Sequence, residues 1–177
     1  MVYWFQFLVT AAVLLSCRCQ RTATDYDWDY FVFTQEWPTA MCILAREQHN
    51  TCVVPPSVTT WTIHGLWPDK KYTKGPLFCN ESWPFSPDEI DSIVPQLKIY
   101  WPNLFPDTCE DCFWEHEWKR HGTCSTNLKA THNELLYFKA ALKLQKKYDL
   151  RKLLKENGIV PSESETYRVS FQFEIFL

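Results

Sequence analysis

Residues 113–124 read FWEHEWKRHGTC, and this stretch decides both the local fold and the chemistry predicted for the chain. Residues 113–121 contain no helix breaker, and Gly122 stands where helices commonly end, so we predict a short helix there. Side chains four residues apart share one face of a helix. Two such pairs are present, Glu117 with His121 and His116 with Arg120. One side of a short helix therefore carries four titratable or cationic groups, which packing alone does not require.

Another histidine lies in residues 61–69, which read WTIHGLWPD. Residues 59–64 are rich in β-branched and aromatic side chains, so we predict a strand that Gly65 and Pro68 end, with His64 at its end among tryptophans. Two imidazoles and a carboxylate can move protons near neutral or mildly acidic pH, and an adjacent cation favours a phosphate. A flanking tryptophan offers a face on which a base can stack, worth about 1–3 kcal/mol.

The remaining elements are predicted from capping and breaker signals. Residues 30–37 (YFVFTQEW) form a predicted strand ended by Pro38, and residues 44–58 a predicted loop. A helix is predicted to begin at Ser86, and Pro95 and Pro102 limit it or break it in two. A second helix runs from a capping box at 131–134 to about Tyr148. A third helix is predicted over 149–157 and a strand over 167–177. This mixture without a βαβ rhythm predicts an α+β fold in which helices surround an antiparallel sheet.

Composition limits the class of protein. The 177 residues fit one domain without internal repeats, and 46% hydrophobic with 22% charged residues excludes a disordered tail or a coiled coil. A net charge of −3 argues against nucleic-acid binding through bulk positive charge and leaves room for a small local site. The chain has 9 Trp, 8 Tyr and 12 Phe, which suits a dense core or a ligand with flat rings.

The amino-terminal segment predicts export. Residues 1–15 are apolar but too short to span a bilayer, and small residues follow, so we predict a signal peptide over 1–19 and a domain over 20–177. No apolar run of 18 residues occurs, so we expect no stable membrane span. Six of the 8 cysteines remain after residue 19, and Asn80 is an N-glycosylation acceptor. We expect a secreted, disulfide-bonded glycoprotein, in the extracellular space, a lysosome or the lumen of the endoplasmic reticulum.

Residues 62–68 (TIHGLWP) and 116–124 (HEWKRHGTC) resemble the two active-site segments of the ribonuclease T2 family of secreted and lysosomal acid endoribonucleases. The similarity extends through residues 33–38, 79–84 and 100–102, and it covers roughly residues 30–168. It implies a ribonuclease T2-like α+β domain that cleaves single-stranded RNA, with little base specificity and without metal or cofactor. We expect no action on DNA, because the ribose 2′-hydroxyl is the nucleophile. We also expect a monomer.

The resemblance also implies a role for each site residue. The 2′-hydroxyl attacks the adjacent phosphorus and leaves a 2′,3′-cyclic phosphate. The implied roles are His121 as general base, His64 as general acid, Glu117 on the charge of the pentacovalent phosphorus, His116 and Arg120 as phosphate support, and Trp67 with Asp69 as base contacts. The family usually has Lys at the position of Arg120, which keeps the charge but places it differently.

The cysteines and the carboxyl-terminal segment are compared with the family in the same way. The resemblance implies two disulfides, Cys42 with Cys52 and Cys79 with Cys124, whereas Cys109 and Cys112 match no family cysteine. These two can pair with each other, pair with another molecule or stay free. Residues 169–177 do not resemble the family, whose members normally run further, so we expect a domain that is incomplete at its carboxyl terminus.

Two other interpretations stay open at this point. The chain could be a non-catalytic secreted homologue that binds RNA or a receptor. Alternatively, Cys109, Cys112, His116 and His121 could bind zinc, although their spacing is far more compact than that of a zinc finger.

Overall fold

The computed structural model describes residues 27–162 together with residues 165 and 167. The predicted signal peptide over 1–19 lies outside these residues, as does the strand predicted over 167–177 apart from Tyr167. Within the described part of the chain, no helix is both long enough and apolar enough to cross a membrane.

The described residues form two strands and six α-helices. In chain order these are β1 (Tyr30–Glu36), α1 (Pro38–Glu47), β2 (Thr62–Asp69), α2 (Pro87–Ile90), α3 (Val94–Tyr100), α4 (Cys112–Arg120), α5 (Glu134–Lys147) and α6 (Leu150–Glu156). Short 3-10 turns occupy Asp91–Ile93, Gly122–Ser125 and Lys129–Thr131. The helices and the antiparallel β1–β2 pair confirm the predicted α+β class.

The two strands pair with one irregularity that matters for the site. Thr34 pairs with Gly65 and Gln35 pairs with Ile63, so β2 carries one more residue than β1 at this point, and that residue is His64. Such a β-bulge bends the strand and re-aims the extra side chain. The position of His64 therefore follows from the register of the sheet.

The predicted end of the second strand is wrong. β2 begins at Thr62 and continues through Gly65 and Pro68 to Asp69. Among the described residues the sheet has two strands, so each strand has an edge without a neighbour. A proline is tolerated on an edge strand because its missing N–H need not interrupt the ladder.

The predicted loop over 44–58 is also wrong at its beginning, because α1 extends to Glu47. Pro38 is the first helical residue rather than only the end of the preceding strand. Proline is favoured there, since its fixed φ suits the helix and the N–H it lacks would have no intrahelical partner.

The helix predictions are confirmed with one change of cap. The predicted helix over 113–121 is α4, and the helix predicted from Ser86 is broken before α3, whose first turn contains Pro95. The cap of α5 is Asn133 rather than a residue of the predicted box at Thr131, because Asn133 Oδ1 accepts from Leu136 N at 2.9 Å. The Thr131 hydroxyl instead donates to the Ser125 carbonyl at 2.7 Å.

The core joins α4 and α5 to β2, and it fixes the geometry of the site. Its fully buried side chains include Ile63, Leu66, Ile90, Leu97, Trp101, Trp114, Trp118, Tyr137 and Phe138. The Tyr137 hydroxyl donates to the Leu66 carbonyl at 2.9 Å, and the Trp114 indole donates to the Trp101 carbonyl at 2.7 Å. These buried hydrogen bonds hold α5 against β2 and α4 against the end of α3.

Candidate active site

The site lies where β2 faces α4. β2 contributes His64 and Trp67, and α4 contributes Glu117 and, at its carboxyl-terminal cap, His121. On α4 the buried positions are 114, 117 and 118, so Glu117 shares the face that packs into the core. The structure therefore brings together the three residues predicted as catalytic.

His64 is half-buried and contacts a carboxylate that the sequence did not suggest. Its Nδ1 lies 2.8 Å from Glu36 Oε2, and its side chain is 38% exposed. The contact with Glu36 raises the pKa of His64 above its usual value, against the lowering effect of burial, and Glu117 adds a smaller upward effect. His64 therefore holds a proton more readily than a free imidazole.

Trp67 contacts all three residues predicted as catalytic, His64, Glu117 and His121. In a regular strand His64 and Trp67 would point to opposite faces, but the bulge shifts the alternation, and their ring centroids lie 5.3 Å apart. The Trp67 ring also lies 5.3 Å from that of His121. Its indole N–H donates to Glu117 Oε2 at 2.8 Å. A single indole thus fixes the relative positions of two imidazoles and a carboxyl group.

Gly65 is required by this arrangement. A Cβ atom at residue 65 would overlap both Trp67 Nε1 and Glu117 Oε2, the two atoms of that hydrogen bond. A larger residue would therefore separate them. Gly122 has a similar part on the helix side, where a Cβ would meet the ring of Trp118.

Glu117 is almost fully buried, at 1% exposure. Burial raises the pKa of its carboxyl group to about 7, although the Trp67 N–H, His64 and Arg120 each lower it in part. At mildly acidic pH the group is therefore mostly protonated, and it can donate a hydrogen bond while Oε2 accepts one from Trp67.

His121 is tuned in the direction opposite to His64. Burial lowers its pKa to about 4, and the positive charges of Arg120, His116 and His64 add to the effect. Its Nδ1 is buried and has no hydrogen-bond partner within the described residues. Nothing there stabilises a proton on this ring, so His121 is neutral at mildly acidic pH.

The two predicted phosphate-supporting residues lie beside this group. His116 lies on the outer face of α4, and the partial burial of its ring, followed by the charge of Arg120, lowers its pKa. The Arg120 guanidinium lies over the ring of Phe78, 5.6 Å from its centroid, and the Arg120 carbonyl accepts from Phe78 N at 2.9 Å. The segment before Cys79 is therefore fixed to the end of α4.

The predicted disulfides are confirmed. Cys42 pairs with Cys52, and Cys79 pairs with Cys124, which binds the segment at 78–79 to the turn after α4. Cys109 and Cys112 pair with each other, the local one of the three alternatives. Because both sulfur atoms are in a disulfide, they are not the thiolates that the zinc interpretation requires.

The other predicted residues lie apart from this group. Asp69 ends β2, five residues beyond His64, and its carboxylate accepts from the Tyr30 hydroxyl at 3.5 Å and from Lys70 N at 2.8 Å. Asn80 Oδ1 accepts from the Ser82 hydroxyl at 2.6 Å, a hydrogen bond within the glycosylation motif.

Two residues at the site were missed at the sequence level. Glu36 contacts His64, and the Phe113 ring lies 5.8 Å from the imidazole of His64 in an edge-on arrangement. Glu36 lies inside a stretch that carried the family resemblance, 33–38, whereas Phe113 lies just before the stretch 116–124. Neither type of side chain signals a function at its position, because both contacts depend on the packing of β1 and α4 around β2.

Comparisons with known proteins identify the family of the chain. Residues 28–173 match the model of the Ribonuclease T2 family. The chain is 50% identical over 145 residues to Ribonuclease Oy of Magallana gigas, covering 81% of this chain and 66% of that protein. It is 37% identical over 162 residues to Ribonuclease T2 of Homo sapiens, covering 84% of this chain and 59% of that protein. The chain thus spans slightly less than two thirds of the length of these relatives.

Two solved structures are similar over most of this chain. Human RNase T2 superposes with a TM-score of 0.67 at 33% identity, over 84% of this chain and 71% of that chain. RNase NT, solved in complex with 5′-AMP, superposes with a TM-score of 0.71 at 32% identity, over 84% of this chain and 71% of that chain.

Proposed function

The chain belongs to the ribonuclease T2 family, and we propose that it is an endoribonuclease that cleaves single-stranded RNA by internal transesterification. The observation that carries the proposal is the contact of one indole with two oppositely tuned imidazoles and a carboxyl group. A proton-transfer reaction needs one group that gives a proton and one that takes it, and both are present at the same pH.

The two imidazoles have distinct parts in the reaction. His121, neutral above about pH 4, takes the proton of the ribose 2′-hydroxyl as O2′ bonds to phosphorus. His64, whose pKa is raised, gives a proton to the 5′-oxygen as its bond to phosphorus breaks. The products are a 2′,3′-cyclic phosphate and a free 5′-hydroxyl. Activity therefore rises with pH through the pKa of His121 and falls through that of His64, which gives an acidic optimum.

Glu117 acts as a protonated carboxyl group. A carboxylate would repel the charge that develops on the phosphoryl oxygens, whereas a neutral carboxyl donates a hydrogen bond to it. With a pKa of about 7, Glu117 carries that proton at acidic pH, and its loss above that pH adds to the alkaline limb of the rate profile. Arg120 and His116 supply positive charge beside it for the phosphate.

Substrate selection follows from the chemistry rather than from a base code. Only RNA has the 2′-hydroxyl nucleophile, so DNA is not cleaved. A base stacked on Trp67, with Asp69 as a further polar contact, gives a broad base preference, and both assignments stay predictions.

We also propose that the protein is exported from the cytoplasm. Disulfides persist in oxidising compartments, and three occur among the described residues. The signal peptide over 1–19, the glycan at Asn80, the monomeric state and the final compartment, extracellular or lysosomal, remain predictions.

The proposal is tested by digestion of single-stranded RNA at mildly acidic pH with wild type and His121→Ala. We expect wild type to release 2′,3′-cyclic phosphate ends and the variant to lose about 10²–10⁴-fold in rate. His49→Asn is the matched control: His49 is exposed after α1 with φ of 62°, a conformation that Asn tolerates. A folded wild type without activity would contradict the proposal and favour the non-catalytic binding protein.

A further inference from the structure

We propose that Glu36 is a positioning residue for His64, and that its carboxylate fixes the imidazole so that Nε2 is the nitrogen that acts on substrate. The inference rests on the proposed function, because it names a residue that prepares the general acid of that reaction. Glu36 acts through His64.

The contact itself is direct. Glu36 Oε2 lies 2.8 Å from His64 Nδ1, and the Glu36 side chain is 12% exposed against 38% for His64. A half-exposed imidazole is therefore held on its Nδ1 side by a carboxylate that is largely shielded from water. Shielding strengthens such a pair relative to one on an open surface.

The backbone holds both partners in place. Glu36 is the last residue of β1 and pairs with Thr62, two residues before His64. Because His64 is the extra residue of the bulge, its side chain is turned away from the regular alternation. The bulge and the end of β1 lie next to each other, so the sheet register itself supplies the pair.

The chemistry explains why a carboxylate is useful there. When protonated His64 gives its Nε2 proton to the leaving 5′-oxygen, the ring that remains is neutral and still carries the Nδ1 proton. That proton lies on the side of the ring that is 2.8 Å from Glu36 Oε2 before and after the transfer, so the ring does not need to turn during the step. Carboxylate partners of histidine fix the tautomer and orientation in the same way elsewhere.

On balance, the titratable groups around His64 favour its protonated form. Those facing it are Glu36 from β1, Glu117 and His116 from α4, and His121 at the end of α4. Of these, the contact with Glu36 has the largest upward effect on the pKa of His64. Removal of its charge therefore lowers that pKa, and the alkaline limb of the rate profile moves to lower pH.

The test compares Glu36→Gln with wild type in two measurements. Gln has the same shape without the charge, so we expect the NMR pKa of His64 and the alkaline limb of kcat both to fall by about one pH unit. KM should change little, because Glu36 acts through the acid. Glu36→Asp, which keeps the charge, should recover part of the shift. Glu47→Gln, an exposed glutamate at the end of α1, is the matched control.

An unchanged pKa of His64 in Glu36→Gln would overturn the inference. The tautomer of wild type gives an independent answer even where the variant does not fold: ¹⁵N shifts above the pKa should show His64 protonated at Nδ1, and a ring protonated at Nε2 would contradict the inference. Both NMR measurements can be made on a protein that has no activity. A wild type that cleaves no RNA therefore defeats the proposed function, whereas the NMR result decides on Glu36.

Discussion

The strand side and the helix side of the site each present one histidine, and the fold treats the two in opposite ways. His64, on a bulge of β2, is half-exposed beside the Glu36 carboxylate, and its pKa is raised. His121, at the cap of α4, is buried beside Arg120 and without a partner for Nδ1 in the described residues, and its pKa is lowered to about 4. Identical side chains thus have pKa values shifted in opposite directions by their surroundings, as the proposed roles of acid and base require.

Trp67 holds the two sides of the site together. Its ring meets both imidazoles and its N–H binds Glu117, so a change on one side is transmitted to the other. Variants that separate the sides should therefore affect the rate more than variants that change a single charge.

The largest effect is expected from Gly65→Ala. The new methyl group would overlap both atoms of the Trp67–Glu117 hydrogen bond and push the two sides apart. Misplacement of catalytic groups by about 1 Å costs roughly 10²-fold in kcat. Steady-state kinetics on RNA measure the loss, with Gly158→Asn as a control at an exposed glycine of positive φ. Wild-type kcat in Gly65→Ala would show that the close contact is dispensable.

A smaller effect is expected from Trp67→Phe, which keeps an aromatic ring but removes the N–H that binds Glu117. The carboxyl group loses its orientation and kcat falls by up to about tenfold, since one hydrogen bond between neutral groups is worth about 0.5–1.5 kcal/mol. The pKa of Glu117 should rise further, because the Trp67 N–H lowers it at present. Titration of the carboxyl carbon by NMR checks this, and a fall of that pKa would contradict the assignment.

Arg120→Gln tests the helix side of the site alone. Arg120 lowers the pKa of His121, so its removal raises that pKa toward the usual value. His121 must be neutral to act as base, so the acid limb of the rate profile moves to higher pH. Arg120 also lowers the pKa of Glu117, so its removal does not move the alkaline limb to lower pH. Arg120→Lys keeps the charge and is the control. An acid limb that stays in place in Arg120→Gln would contradict the assignment of His121 to that limb.

The smallest effect on activity, and one on stability, is expected from Tyr137→Phe. Its hydroxyl joins α5 to β2 through the buried Leu66 carbonyl, and its side chain lies in the hydrophobic core behind the site. Loss of the hydrogen bond leaves that carbonyl without this donor and lowers the free energy of unfolding by about 1–3 kcal/mol. Urea unfolding measures it, and kcat of the folded variant should be within about twofold of wild type.

Most residues of the site could be predicted from the sequence, but the shifts of their pKa values could not. Local signals identify α4 and the four site residues that it and its carboxyl-terminal cap carry, and two of the three cysteine pairs follow from the family resemblance. The Glu36–His64 contact is not local: it joins residues on two strands and depends on a bulge in their register. The end of β2 was mispredicted for a related reason, since an edge strand accepts the proline that usually ends one.

The most direct test of the division between acid and base uses a substrate whose leaving group needs no proton. A nucleoside 3′-(4-nitrophenyl phosphate) cyclises with loss of 4-nitrophenolate, so general acid catalysis contributes little. The account predicts that His64→Ala, strongly impaired on RNA, recovers most of the wild-type rate on this substrate, whereas His121→Ala stays impaired on both. Recovery of His121→Ala but not of His64→Ala would reverse the two roles and contradict the account.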